Sequence, residues 1–290
     1  MKIGYYPGCS LHGTARELDE SLRAVAAPLD LELTEVEDWS CCGASSAHAA
    51  GHELAVALPA RNLALAAEQG HDQVLAPCAA CYNRLAQARL AVERDADLRA
   101  ALPDLLGRPF SNSVAARNLV DILHERRDLL RERVTRPLTG LKVACYYGCL
   151  LVRPSARLGF DDAEEPVSME QVIQSLGATP IAWNRRLDCC GGAFSVARTG
   201  SVIRLSRAVL DDARSAGAEV LAVACPMCHS NLDFRQQALL RRGEKTLPVL
   251  YLTELVGLAL GLPAERLGLL RHFVDPRPLL AKLSAAPEVH

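Results

Sequence analysis

The feature that most restricts this 290-residue chain is a cysteine pattern that occurs twice and takes in ten of its eleven cysteines. The first copy is Cys9, the adjacent pair Cys41 and Cys42, then Cys78 and Cys81; the second is Cys149, the pair Cys189 and Cys190, then Cys225 and Cys228. A glycine follows each adjacent pair (Gly43, Gly191), and each copy ends in C-x2-C. The flanking sequence repeats too. Residues 2–9 (KIGYYPGC) align without gaps on 142–149 (KVACYYGC), and residues 70–85 (GHDQVLAPCAACYNRL) on 217–232 (GAEVLAVACPMCHSNL). Matches at both ends of each unit mean a duplicated domain. The expected boundaries are 1–138, a first cysteine-rich domain with linker helices, and 139–290, a second with C-terminal helices.

Within each copy the elements alternate. Residues 3–6 and 143–146 are short apolar runs ending at Gly-Cys, as buried parallel strands do. Residues 14–27 place Ala15, Leu18, Leu22 and Val25 at helical spacing, and residues 168–176 do so with Met169, Val172, Ile173 and Leu176. A second strand leads into the adjacent cysteines, and a helix follows near 53–69 or 202–216, with Gly70 and Gly217 placed as C-terminal caps. A third strand, 73–76 or 220–224, runs into C-x2-C, which opens a third helix. The fold class is therefore α/β: two tandem duplicated small α/β domains with mostly parallel sheets. The cysteine sites fall at the C-terminal ends of the strands, where open α/β sheets bind ligands, so the five thiols of each copy should meet. Residues 94–136 read as linker helices, with Pro103, Pro109 and 111–113 as breaks. Val114, Leu119, Ile122 and Leu123 give them an apolar face that closes the domain's own core, and 249–260 takes the matching place in copy two. Residues 284–290 read as a frayed end.

Composition excludes some roles. A net charge of -2 and 4% aromatic residues leave neither a basic surplus nor stacking platforms for nucleic acid. The N-terminus carries no targeting pattern. The apolar stretch 247–262 contains Pro248 and Glu254 and falls short of the ~20 residues of a membrane span. A soluble cytoplasmic protein is expected. In that reducing compartment an odd number of cysteines suits metal or redox chemistry better than disulfides.

The donor count then sorts the chemistries. A structural zinc site takes four ligands, whereas each copy offers five, two of them adjacent in sequence. An iron-sulfur cluster presents several irons, so neighbouring thiolates can reach different ones. An ordinary cubane also needs only four cysteines, which leaves either a spare cysteine or a cluster of another shape. A thioredoxin-like dithiol accounts for C-x2-C and leaves three cysteines per copy unexplained. Zinc in one site and thiol redox chemistry stay open as alternatives. The C-x2-C pairs open helices, whose free N–H groups and positive dipole end suit an anionic group. Pro226 fits a first helical turn.

With Tyr-Tyr-Pro-Gly-Cys-Ser at residues 5–10, Trp-Ser-Cys-Cys-Gly-Ala-Ser-Ser-Ala-His at 39–48, Tyr-Tyr-Gly-Cys-Leu-Leu-Val-Arg-Pro at 146–154, Phe-Asp-Asp at 160–162 and Cys-Cys-Gly-Gly at 189–192, the chain resembles the B-type subunit of heterodisulfide reductase over nearly its whole length. The wider family of cysteine-rich CCG domains includes subunits of succinate, thiol:fumarate, lactate and glycolate oxidoreductases. The resemblance implies two noncubane 4Fe-4S clusters, one held by Cys9, Cys41, Cys42, Cys78 and Cys81, the other by Cys149, Cys189, Cys190, Cys225 and Cys228. It implies cleavage of a disulfide by delivery of one electron to each sulfur, or in reverse the oxidation of thiols or protein-bound sulfane sulfur. In the methanogen-type enzyme the substrate is the coenzyme M-coenzyme B heterodisulfide. The implied partners are the other subunits of such a complex, one ferredoxin-like and one a flavoprotein, since the chain has no flavin, nicotinamide or cubane-ferredoxin motif of its own. The alternative is an electron-relay or scaffold role within a respiratory oxidoreductase. His48 and His229 follow ligand cysteines and are candidate proton donors to departing thiolates, against the plainer reading of histidines held by local backbone bonds. Arg153 is a candidate for an anionic substrate group. Cys145 replaces Tyr5 in the repeat and reads as core packing, while His12 and His272 have no partner visible in sequence.

Overall fold

The structure is a computed structural model that describes residues 1–44, 46–154, 158–240 and 243–285. Strands β1 (Lys2–Tyr5), β2 (Glu32–Glu35), β3 (Gln73–Ala76) and β4 (Ala115–Asn118) form one sheet in the order β2-β1-β3-β4. Strands β5 (Lys142–Tyr146), β6 (Thr179–Pro180), β7 (Val220–Val223) and β8 (Val249–Tyr251) form the other in the order β6-β5-β7-β8. Every pairing in both sheets is parallel. The inner strands are apolar on both faces, all four residues of β7 being buried, as strands covered on two sides must be.

Each sheet has one strand more than the sequence pattern predicts. Ala115-Ala116-Arg117-Asn118 lacks the apolar run that marks β1 and β3, because as an edge strand it has one partner and only Asn118 is buried. The helix Leu119–Glu125 follows it at once, capped by the Asn118 side chain, which accepts from the Asp121 N–H at 2.9 Å. In copy two β8 likewise precedes the helix Leu252–Ala259. Pro103 does not break the chain as expected. It lies inside the helix Ala96–Leu106, which is capped by Asp95 and ends at Gly107 in the left-handed region.

The closing helices also cross over. Helix Leu119–Glu125 packs on Ser168–Ser175 of the second copy, and Leu252–Ala259 packs on Arg16–Ala26 of the first. Ser21 Oγ meets Thr253 Oγ1 at 2.7 Å, His124 Nε2 meets Gln171 Oε1 at 2.7 Å, and Arg126 Nε donates to the Leu29 carbonyl at 3.0 Å. Each helix therefore covers a helix of the other copy, where the sequence reading had it closing its own core; periodicity shows that a face is buried and not which copy buries it. The result is a main core running continuously from Ile3 to Leu279, beside a small separate cluster of Val56, Ala60, Ala88, Val92, Leu98 and Leu102.

Cys145 lies in that core on β5, fully buried, with its thiol pushed well up by desolvation. A serine there would bury a hydroxyl where a thiol packed. Cys145→Ser is expected to lower the unfolding free energy by about 1–2 kcal/mol, read from urea midpoints.

Candidate functional site

Two loops and one helix start build the first site. β1 ends at Tyr5, and Gly8, at φ +67°, turns the chain into the short helix Gly8–His12 that carries Cys9. A Cβ on Gly8 would stand 3.2 Å from the Cys81 sulfur, so glycine lets the backbone pass the thiol. β3 runs into Cys78, the N-cap of helix Ala79–Arg94, and Cys81 follows one turn later. The loop after β2 is pinned from both sides: the Tyr6 hydroxyl donates to Ser40 O at 2.7 Å, and the Asn62 amide accepts from Ser40 N at 2.8 Å and donates to Ser40 O at 3.0 Å. That loop delivers Cys41, whose sulfur accepts from Gly43 N at 3.5 Å, and Cys42, whose sulfur lies 3.3 Å from that of Cys81.

The second site repeats the plan. Tyr146 donates to Asp188 O at 2.5 Å, Gly191 N donates to the Cys189 sulfur at 3.3 Å, and the Cys190 and Cys228 sulfurs are 3.5 Å apart. A Cβ on Gly148 would come within 3.3 Å of the Cys228 sulfur, the counterpart of Gly8 and Cys81. These sulfur separations exceed the ~2.05 Å of a disulfide, and all eleven cysteines are free thiols. The ten expected ligands thus converge in two groups of five.

The two groups adjoin. Cys78 of the first and Cys225 of the second lie close enough for each side chain to shift the other's proton affinity. The buried Asn83 clamps the junction by donating to the carbonyls of Leu150 at 2.8 Å and Arg153 at 2.9 Å. Within each group the thiols share protons unevenly. The hydrogen bond with Cys81 brings Cys42 down to about 7, and that with Cys149, helped by the N–H groups of Gly191 and Gly192, brings Cys189 down to about 6. Cys228 and Cys78 hold Cys225 well below the ordinary thiol range, while Cys78, Cys81 and Cys228 are pushed up. Each site so keeps thiolate available near neutrality, the form that ligates metals and attacks sulfur.

The remaining candidates are placed as follows. The His48 side chain lies outside the described residues. His229 is buried and stacked on Tyr251 at 4.4 Å; its Nε2 is 3.1 Å from Val249 O and 3.2 Å from His272 Nδ1. Its ring is thus held by a backbone carbonyl and a second imidazole. Arg153 donates to Ala163 O at 3.0 Å and pairs with Glu164 at 2.7 Å. His12 pairs with Glu35 at 3.3 Å and meets Trp39 edge-on. His229, Asp233 and His272 are close enough to hold a metal ion, but Asp233 already accepts from the N–H groups of Phe273 and Val274, and both imidazoles are on Val249 O.

Three residues escaped the sequence reading. Tyr251 ends β8 with a buried hydroxyl that has no partner among the described residues. Arg84 lines a cavity of about 270 Å³ with His52, Val56, Arg94 and Asp95, between the helices His52–Glu68 and Ala79–Arg94. Asn231 places its amide 3.7 Å from the Cys190 sulfur. Arg84 and Asn231 face each other in the gap-free alignment of the repeat, the one signal that marks them.

His272 and Glu254 form a fully buried pair at 2.7 Å. Burial alone would lower His272, but the charge and hydrogen bond of Glu254 push it up to about 9, from 6.5. Burial outweighs His272 at Glu254, which rises from 4.5 to about 7. Both groups bind protons more tightly folded than unfolded, so both act with one sign. Stability is expected to fall as pH rises, for His272 between 6.5 and about 9. Urea midpoints across that range should fall in the parent protein and flatten in His272→Gln; parallel slopes would contradict the assignment.

Residues 3–86 and 143–233 each match the cysteine-rich domain family called CCG, and the chain belongs to that family. It is 34% identical over 96% of its length to the 8-methylmenaquinol:fumarate reductase membrane anchor subunit of Wolinella succinogenes, covering 99% of that protein. It is 28% identical over 97% of its length to the B-type subunit of the ferredoxin:CoB-CoM heterodisulfide reductase of Methanosarcina mazei, covering 97% of that protein. A protein of Archaeoglobus profundus described as similar to the same B-type heterodisulfide reductase subunit is 26% identical over 92% of the chain and is covered to 93%. A solved structure of a hypothetical protein from Helicobacter pylori has the same fold, with a TM-score of 0.74 at 11% identity over 94% of this chain; the chain spans about half of it, 52%. No helix among the described residues is long and apolar enough to cross a membrane.

Proposed function

We propose that the chain is the iron-sulfur subunit of a heterodisulfide reductase-like complex that cleaves a disulfide or, in reverse, oxidises thiol or sulfane sulfur. The observation that carries this reading is the meeting of two complete five-thiol sites at Cys78 and Cys225. The donor set suits a sulfur-rich cofactor: thiols alone, with glycines at Gly8 and Gly148 clearing room beside the sulfurs. Cys9, Cys41, Cys42, Cys78 and Cys81 would hold one noncubane 4Fe-4S cluster, and Cys149, Cys189, Cys190, Cys225 and Cys228 the other. When bound, such clusters supply single electrons, one for each sulfur of a disulfide. The protein's part is to hold ten thiolates at two adjoining points, to offer N–H groups to Cys41 and Cys189, and to keep the Tyr251 hydroxyl free to donate near Cys78 and Cys225. Electrons would arrive through partner subunits of the ferredoxin-like and flavoprotein kinds.

A second reading rests on the Wolinella relative: a relay or scaffold role in a quinol:fumarate reductase, with zinc in one site as its minor form. Anaerobic iron, sulfide and zinc analysis with EPR, before and after adding thiols, separates the two. About eight irons per chain and a thiol-dependent signal are expected, from two four-iron clusters. About four irons with one zinc, and no response to thiols, would favour the relay.

A further inference from the structure

The two sites share one backbone plan and differ in charge. Arg84 and Asn231 hold matching positions, each three residues after the last cysteine of its site. Asn231 is buried and gives its amide to Cys190, 3.2 Å from the carbonyl and 3.7 Å from the sulfur. Arg84 holds the matching position in helix Ala79–Arg94, three residues beyond Cys81, whose sulfur lies 3.3 Å from that of Cys42. Its Nε is buried without an acceptor, and among the described residues no carboxylate pairs with it. Arg84 lies between the helices His52–Glu68 and Ala79–Arg94, out of the protein's ion-pair network and on the same side as the loop that delivers Cys42, whose charge acts on it.

A second matched pair has the same sign. Ser40 precedes Cys41, and Asp188 precedes Cys189. The two are equivalent in space, because Tyr6 and Tyr146 donate to their respective carbonyls. The Asp188 carboxylate stands one residue from Cys189, although Arg185, at 2.6 Å, takes up part of its charge. The first site thus has an unpaired cation where the second has an amide, and a hydroxyl where the second has a carboxylate. Four of the five matched cysteine pairs are equally exposed or buried, and only Cys9 is exposed where Cys149 is half-buried, so solvent screens the two sites nearly alike and leaves the difference standing.

We infer that Arg84 makes the first site, Cys9 to Cys81, the one that takes up an electron first, and that the second site holds the lower potential. This rests on the reading of both sites as iron-sulfur centres. Taking up an electron adds one negative charge to a site and neither makes nor breaks a bond there; the Arg84 proton stays in place. A fixed cation stabilises that added charge, a neighbouring carboxylate opposes it, and iron-sulfur potentials follow local charge in this way. The Asn231 amide also favours the reduced state, but a dipole does so more weakly than a full charge. Because the sites adjoin at Cys78 and Cys225, the inequality gives electron flow within the chain a direction, from the second site to the first.

The test is an EPR-monitored redox titration of the anaerobically reconstituted full chain, with Cys42→Ser and Cys190→Ser used to assign signals to sites. The signal lost in Cys42→Ser should titrate at the higher potential. Arg84→Asn should lower that midpoint and leave the other in place, Arg84→Lys should keep it near the parent value, and Asp188→Ser should raise the other. Reversed order, unmoved midpoints at full iron content, or equal movement of both overturns the inference. If Arg84→Asn loses iron, Asp188→Ser decides alone: a raised second midpoint supports the inequality and an unmoved one overturns it. Iron analysis of the parent chain comes first, and absence of iron there overturns the cluster reading itself, apart from any question of Arg84.

Discussion

On the two-cluster reading proposed above, Cys42→Ser and Cys190→Ser are each expected to lose one cluster and, with it, at least about 100-fold in disulfide turnover. Both cysteines are buried, at 2% and 3% exposure, and each sulfur lies against the C-x2-C cysteine of its site, at 3.3 and 3.5 Å. A serine oxygen is harder and sits nearer its own backbone, so it is a poor substitute for thiolate toward iron. Iron content should fall to about half in each variant. If each site delivers one electron to one sulfur, neither half-loaded protein can finish the reaction, and the two variants should fail equally. A relay would behave otherwise, since only the site on the electron path would matter and one variant would retain activity. The cooperative reading is lost if either variant has half its iron and turns over thiols at the parent rate. Far-UV circular dichroism of each variant guards against a trivial unfolding result.

Much of this was legible because the cysteines mark strand ends. β1, β3, β5 and β7 are apolar runs that stop a few residues before a cysteine of the repeated pattern, so pattern and chemistry coincide. β6 is two residues long and contains Pro180, which cannot donate to a ladder and confines the strand to the sheet edge. β4 was missed for a related reason, its Arg117 being turned to ion pairs with Asp121 and Glu125 and away from the core. The grouping of thiols within each copy follows from crossover lengths and could be read from the chain. The closeness of Cys78 to Cys225 could not, because it depends on the exchange of closing helices between copies, and local periodicity carries no record of a distant partner. Arg84 and Asn231 stood in plain view in the alignment. Their meaning needed the distance from Asn231 to Cys190, which turns an ordinary Arg/Asn difference into a difference in charge beside two sulfurs.

Removing the metal is expected to destabilise the whole chain and not one half of it. A group that binds only the native arrangement of thiols stabilises by mass action, and sulfur-bound metal commonly contributes several kcal/mol in this way. Each site ties the ends of two neighbouring strands, β1 and β3 or β5 and β7, to the loop after a third, so its loss frees three chain segments together. The damage should spread because the Asn83 amide fixes the Leu150–Arg153 backbone to the first site's helix, and the helix Leu252–Ala259 covers Arg16–Ala26. With about 2–4 °C per kcal/mol for a chain near this size, the apo-protein should melt roughly 10 °C or more below the holo-protein. Cys42→Ser, which empties only the first site, should still lower protection from hydrogen exchange in β5 and β7 of the second copy. If apo- and holo-protein melt together, the thiol sites do not hold the fold. If exchange changes stop at residue 138, the copies behave as independent domains despite their shared core, and the adjoining of Cys78 and Cys225 has no mechanical consequence.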